Sequence, residues 1–419
     1  MQIVEWLKSI GSVEKMRASA KTVSAIPLKV NSHMHLPPNF SAFTTVEQVL
    51  DLAVAQDVRV IGVTNYYDYQ VYVKFAELAK KARVFPIFGL EIISLIDRLV
   101  KDKVKINDPG NPGRMYICGK GVTRFLPVPA GPASILETIR ANDTLRMREM
   151  VDKVAALFIA AGCDLAVTEP GVKKMISNRH KCPEDIVYLQ ERHIAQAFQE
   201  SLFAKVSSEK RAQILTQVYG TAPKAGADDA VQFQNEFRSH LLKAGKPAFV
   251  VETFVNEIEA KKMILGMGGI PCYPTLADGA SPLCPYEATP EILIENILGM
   301  GIYMAEFIPI RNSPEVLQTY VKAMRAAGLV VVRGTEHNTL ELIPLEPTCL
   351  KSAPVPEDIK AIFWEGACVI AAHQFLLAQG QAGFVDADGA LCTGYASADA
   401  RIKAFAALGA AVIQTDLGV

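Results

Sequence analysis

Asn31-Ser32-His33-Met34-His35 closes the short apolar run Ile26-Pro27-Leu28-Lys29-Val30 and decides how the rest of the chain is read. Residues two apart on a strand project to the same side. His33 and His35 can therefore aim two imidazoles at one point, the arrangement a transition metal requires. Two surface histidines at the mouth of a loop would give the same local sequence, so the neighbouring segments have to arbitrate.

Downstream, apolar runs alternate with helical patterns. Thr45 opens a helix with Val46, Val49, Leu50 and Ala53 on one face. Val58 to Thr64 is nearly all apolar, as a strand buried on both faces would be. Helix is expected over 71–82, then a strand over 84–89 that runs into Glu91, and a fourth strand over 114–119 followed by Lys120. Each strand ends on polar or ionisable groups, the rhythm of a β/α barrel whose site lies at the strand C-termini.

That rhythm stops at Pro129. Residues 129–245 read as a helical insertion, with helices over 134–139, 144–161, 183–201 and 209–219 and a possible strand over 164–167. It resumes with helix 256–267, strand 270–273, helix 289–300, strand 301–309, a helix opened by Ser313-Pro314 and strand 329–334. The expected organisation is an N-terminal helix in residues 1–27, barrel halves over 28–128 and 246–345, the insertion, and a helical extension over 346–419. Gly-Met-Gly-Gly at 266–269 ends a helix and does not open one, so it is a C-cap and not a phosphate loop.

The 419 residues carry a formal net charge of −1, and half of them are hydrophobic. That balance gives no electrostatic footprint for nucleic acid or an anionic membrane. No transmembrane segment and no signal peptide are expected. Eight scattered cysteines contain no Cys-x-x-Cys pair, which argues against a zinc knuckle or disulfide framework and for a reducing cytoplasm.

The strand ends, taken in order, resemble the polymerase and histidinol phosphatase (PHP) family. His33-Met34-His35 matches its opening His-x-His, Gly62-Val63-Thr64-Asn65-Tyr66 its Thr-Asp-His and Gly89-Leu90-Glu91 its Gly-x-Glu. Cys272-Tyr273-Pro274 stands at its Ala-His-Pro, and Gly334-Thr335-Glu336-His337-Asn338 at its Gly-Ser-Asp-x-His. The resemblance implies a distorted (β/α)7 barrel that binds up to three divalent metals and hydrolyses phosphate esters. It places one metal on His33, His35, Glu91 and Glu336. The positions for the other two fall on Tyr116, Tyr273, Ser41, Tyr66 and Asn338, which are poor ligands at neutral pH, and Asn65 replaces a carboxylate. The expectation is a reduced site with one Zn, Mn or Fe ion. Strand alternation should turn His337 away from Glu336, but a register shift of one would exchange their roles.

A hydrolase acting on a small anionic phosphate ester follows from this resemblance. Asn65, Tyr66, Tyr116, Lys120, Tyr273, Arg311 and Asn338 are the candidate substrate-binding residues, with Lys120 and Arg311 as anion clamps. For both cations a solvated loop position is the alternative, and for the tyrosines plain packing. Arg179-His180 and Arg192-His193 read as solvated helix edges, unless the insertion caps the site and Arg179 or Arg192 reaches the substrate. Two other functions fit: a catalytically inactive barrel that binds a ligand or scaffolds an assembly, and an amidohydrolase. The amidohydrolase reading lacks a pair of strand-end histidines after Lys120.

Overall fold

Seven strands form one sheet in chain order: β1 Lys29–Met34, β2 Val58–Tyr66, β3 Phe85–Leu95, β4 Arg114–Lys120, β5 Ile270–Thr275, β6 Met304–Phe307 and β7 Val330–Arg333. The computed structural model describes residues 3–22, 27–226, 228–252 and 254–419. The sheet curls until its edges meet. Met34 bridges Glu336 just beyond β7, and the His33 carbonyl accepts from the backbone N–H groups of Thr335 and Glu336 at 3.0 and 2.9 Å. The result is a nearly closed barrel in a mixed α/β fold. Its seam permits no side chain at Gly334, where a Cβ would lie 2.3 Å from that of His33.

The regular strand-helix alternation expected from the sequence needs one correction. β1, β2 and β3 are parallel, and so are β5, β6 and β7, but β4 runs antiparallel to both neighbours. The β3–β4 connection contains only the five-residue helix Asp97–Lys101, too little for a parallel crossover. Reversal inverts the ends of β4. Tyr116 pairs with Ile93 toward the site end, whereas Lys120 pairs with Ile270, the first residue of β5, toward the opposite end.

The insertion forms its own apolar core. Phe158, Phe198 and Phe237 stack with ring centroids 5.5–6.4 Å apart. A single helix, Ala130–Ala160, replaces the two expected over 134–139 and 144–161, helix Glu169–His180 was not anticipated, and residues 164–167 form no strand. The insertion docks on the site end of the barrel through main-chain groups. Gln190 accepts from the Phe40 N–H at 2.6 Å, and Arg140 donates to the Tyr67 carbonyl at 2.8 Å.

The opposite end is closed by helix Glu357–Ala378, which crosses from β7 to the starts of β3 and β5. Gln374 donates to the Pro86 carbonyl at 3.0 Å, and His373 bonds the Gly268 carbonyl at 3.1 Å. This helix is long and apolar enough to cross a membrane, contrary to the expectation that no such segment exists, but 78% of its most apolar window is buried in the fold. Helix Ala398–Leu417 packs along it. The N-terminal segment, expected as one helix, forms two, Ile3–Ser9 and Val13–Ser19, and joins the same layer through Trp6, which donates to Asp416 at 3.0 Å. Part of that expected helix, residues 1–2 and 23–26, lies outside the described residues.

Gly409 lets the two C-terminal helices touch: a Cβ there would sit 1.8 Å from the Cys368 carbonyl oxygen. Alanine gains about 1 kcal/mol of helix propensity. Forcing two packed backbones apart costs about 1–3 kcal/mol and often more, so overpacking wins. Gly409→Ala should therefore lower the thermal unfolding midpoint; an unchanged or raised midpoint would show that this contact does not limit packing.

Candidate metal centre

β1 delivers His33 from within the strand and His35 just past its end, and β3, one strand further round the barrel beyond β2, delivers Glu91. The two imidazole Nε2 atoms are 3.4 Å apart. Glu91 Oε2 lies 3.6 Å from His33 Nε2 and 3.2 Å from His35 Nε2. Ligands about 2.0–2.1 Å from a tetrahedral zinc sit about 3.3–3.4 Å from one another, so three donor atoms already have the separation that one ion imposes. All three residues are buried, and among the described residues His35 Nδ1 has no hydrogen-bond partner and Glu91 Oε2 meets only the two imidazoles. Buried polar atoms are rarely left unpartnered, and a carboxylate oxygen at the focus of two imidazoles fits a cation.

Behind His33 stands a carboxylate that sequence reasoning did not single out. Glu306 of β6 accepts from His33 Nδ1 at 2.7 Å and from Lys120 Nζ at 2.6 Å, and none of the three is more than 1% exposed. Burial alone would lower the His33 pKa, but the Glu306 charge more than offsets it and lifts it to about 9. The 2.7 Å contact holds the Nδ1 proton on the Glu306 side, and Nε2 faces His35 and Glu91, where a bound ion would take the place of its proton. This is the carboxylate–histidine support typical of metal sites. Glu91, despite burial, is held well below the usual carboxylate range by His33 and His35.

Glu336 is placed differently. Its carboxylate is gripped by Arg311 through both oxygens, with Nη1 to Oε1 at 2.8 Å, and accepts from Asn338 Nδ2 at 2.7 Å. Among the described residues two groups of donor atoms converge, His33 with His35 and Glu91, and His33 with Cys118 and Glu306, and Glu336 belongs to neither. His337 turns away: it bonds Thr335 at 2.6 Å and the Ile343 carbonyl at 2.9 Å, and burial lowers its pKa to about 4, so it is neutral.

The candidate substrate residues divide. Tyr66 lies flat on His35, rings 5.2 Å apart and 5° from parallel. Burial, and then the Glu91 charge, push its pKa well up, so it stays a neutral phenol. Tyr116 accepts from Arg114 at 2.9 Å on the same end of the barrel. Three residues are corrected. Asn65 uses its amide to clamp Leu36, donating to its carbonyl at 2.9 Å and accepting from its N–H at 2.8 Å. Tyr273 faces outward, since Cys272 takes the interior position opposite Cys118, and donates to Glu287 at 2.7 Å. Lys120 is no exposed clamp, because the reversal of β4 sinks it beneath the site. Ser41, at another metal-type position of the resemblance, donates to the His35 carbonyl at 2.7 Å.

On the insertion, Arg179 is spent on Glu200, with both contacts at 2.7 Å. Arg192 stands over the Phe40 ring within electrostatic reach of Glu336 and Arg311, and makes a 3.4 Å contact with Asn235. His193, expected at a solvated edge, is buried and accepts from the Gln190 N–H at 3.1 Å.

The chain matches no model of a known protein family and no curated protein. Among solved structures it resembles a Bifidobacterium adolescentis protein provisionally described as a metal-dependent phosphoesterase. The TM-score is 0.52 at 14% identity, over 80% of this chain and 96% of that one. An amidohydrolase from Chromobacterium violaceum aligns with a TM-score of 0.49 at 18% identity, over the same shares. The first likeness shows a shared fold.

Lys120→Met should destabilise the protein by about 3–5 kcal/mol, since Glu306 would keep a buried charge without its cation. Lys120→Met with Glu306→Gln should recover part of that loss in denaturant unfolding. If Lys120→Met leaves stability unchanged, the pair is not the buried support described here.

Proposed function

We propose that this protein is a metal-dependent hydrolase of small phosphate esters that works with a single divalent ion held by His33, His35 and Glu91. The convergence of two Nε2 atoms and one carboxylate oxygen, with His33 locked from behind by Glu306, is the observation that supports it. The fold shared with a protein described as a metal-dependent phosphoesterase agrees with this reading. The charge balance argues for one ion. Glu306 has Lys120 and Glu336 has Arg311, while Glu91 has only imidazoles. Two nitrogens and one oxygen suit Zn²⁺, Mn²⁺ or Fe²⁺.

Such an ion would polarise a phosphoryl oxygen and supply hydroxide near neutral pH. The protein's own residues do the rest. Glu306 fixes the His33 ring, and the face of Tyr66 restrains His35. The neutral phenols of Tyr66 and Tyr116 are donors suited to phosphoryl oxygens. Arg311 and Arg192 bring positive charge from the barrel and from the insertion, and attract an anion. The buried setting, capped by the insertion, strengthens each of these interactions. Eight free cysteines accord with a reducing, cytoplasmic setting.

Elemental analysis of the purified protein should find about one equivalent of Zn, Mn or Fe per chain. A screen of small phosphorylated compounds with that metal should find turnover, and His35→Ala should lose metal and turnover together. Glu306→Gln should weaken metal affinity by about 10–100-fold. A folded wild-type protein that takes up none of the three ions and hydrolyses nothing would replace this reading with the ligand-binding barrel.

A further inference from the structure

We infer that Arg311 competes with the metal ion for Glu336, so that an anion drawing Arg311 away converts a three-residue site into a four-residue one. The inference rests on the metal reading above and concerns how that site is regulated.

The backbone already presents Glu336 to the site. Its N–H donates to the His33 carbonyl at 2.9 Å, and its own carbonyl accepts from the His35 N–H at 2.9 Å. It is thus pinned to both histidine-bearing positions. Glu336 and the next residue, His337, both lie in the left-handed region, with φ of 59° and 50°. Two consecutive non-glycine residues there are held against their preference, by about 1–3 kcal/mol each. The surrounding structure therefore fixes this stretch of backbone, and from it the Glu336 carboxylate lies close enough to interact with the charges of Glu91 and His33. What occupies it is a guanidinium. A bidentate arginine–carboxylate pair satisfies both oxygens and cancels the charge that would attract an ion.

The lock can be reached from outside. The Arg311 side chain is 37% exposed, while that of Glu336 is 11% exposed. An anion arriving from solvent meets the guanidinium before the carboxylate. Arg311 sits in a single 3-10 turn, Pro309–Arg311, and not in a strand, so its side chain can be redirected without breaking the sheet. Among described residues, Asn338 also binds Glu336, through Oε2. Loss of Arg311 leaves Oε1 without that donor and the carboxylate without its cation. Arg311 is thus a positioning residue: it sets how many carboxylates the ion finds.

The test is Zn²⁺ affinity of the full-length protein, measured by competition with a chromophoric chelator, on wild type, Arg311→Gln and the double variant Arg311→Gln/Glu336→Gln. Arg311→Gln should bind Zn²⁺ at least about tenfold more tightly, and the double variant should return to within about threefold of wild type. With Co²⁺ in place of Zn²⁺, the visible absorption of Arg311→Gln should differ from wild type as the ligand set changes. Circular dichroism confirms folding, and Arg311→Lys, which keeps a cation but loses the fork, should fall between wild type and Arg311→Gln.

Sulfate, at ionic strength matched with chloride, should tighten Zn²⁺ binding at least about threefold in wild type and leave Arg311→Gln unchanged. Equal effects on both proteins, or none on wild type, would overturn release by an anion. If Zn²⁺ binds but Arg311→Gln gains nothing, or the double variant stays as tight as the single, competition for Glu336 is overturned while the metal site stands. If neither wild type nor Arg311→Gln binds Zn²⁺, the metal reading fails and this inference with it.

Discussion

A carboxylate in the middle of a barrel must be neutralised where it stands, and the Glu306 bridge between Lys120 and His33 is the solution on which this interior depends. An isolated buried charge costs several kcal/mol even after relaxation, and only close, well-directed partners offset it. Glu306 has both, at 2.6 and 2.7 Å. The consequence reaches past the pair. Because Lys120 answers its charge, Glu306 can use its second oxygen to orient an imidazole. Because that imidazole is oriented, its Nε2 faces the focus shared with His35 and Glu91.

The same bridge gives the reversal of β4 a chemical meaning. In an all-parallel barrel the residue after the fourth strand would stand at the site mouth. Running β4 the other way carries Lys120 to the layer beneath the histidines, and its ammonium reaches the Ser32 carbonyl at 3.1 Å as well as Glu306. It also brings Cys118 to Glu306, whose Oε2 accepts a weak hydrogen bond from the thiol at 3.8 Å. Positive charge at the mouth comes instead from Arg311 after β6 and Arg192 on the insertion, since Arg114 at the start of β4 is already paired with Asp108 and Glu252.

Much of this fold was legible because buried strands and amphipathic helices write themselves in apolar runs. All seven strands fall in the expected places, and helix 71–82 matches to the residue. Strand direction was not legible in that pattern, since a run such as Arg114–Lys120 reads alike either way. The available signal lay in the preceding connection, too poor in helix for a crossover. Of the site, the His33–His35 pair could be found from spacing, and Glu91 through the strand that runs into it and the family resemblance. Glu306 could not be found from periodicity, yet a lone acid among Met304, Ala305 and Phe307 in a fully buried strand demands a partner, and Lys120 at the end of another apolar strand was the matching anomaly. Tyr273 was misplaced because facing depends on a parity of one: Cys272, not its neighbour, lies opposite Cys118.

Depth makes charge pairing decisive here. His33, His35 and Glu91 lie beneath a loop that the insertion pins at Phe40, so water screens their interactions weakly. In such a medium a carboxylate goes to whichever cation is nearest and best directed. Lys120 holds Glu306 from below, Arg311 holds Glu336 from above, and Glu91 between them is left to two imidazoles. The number of ions this barrel can hold is therefore set less by how many ligand-type residues line it than by how many of them already own a cation supplied by the chain itself.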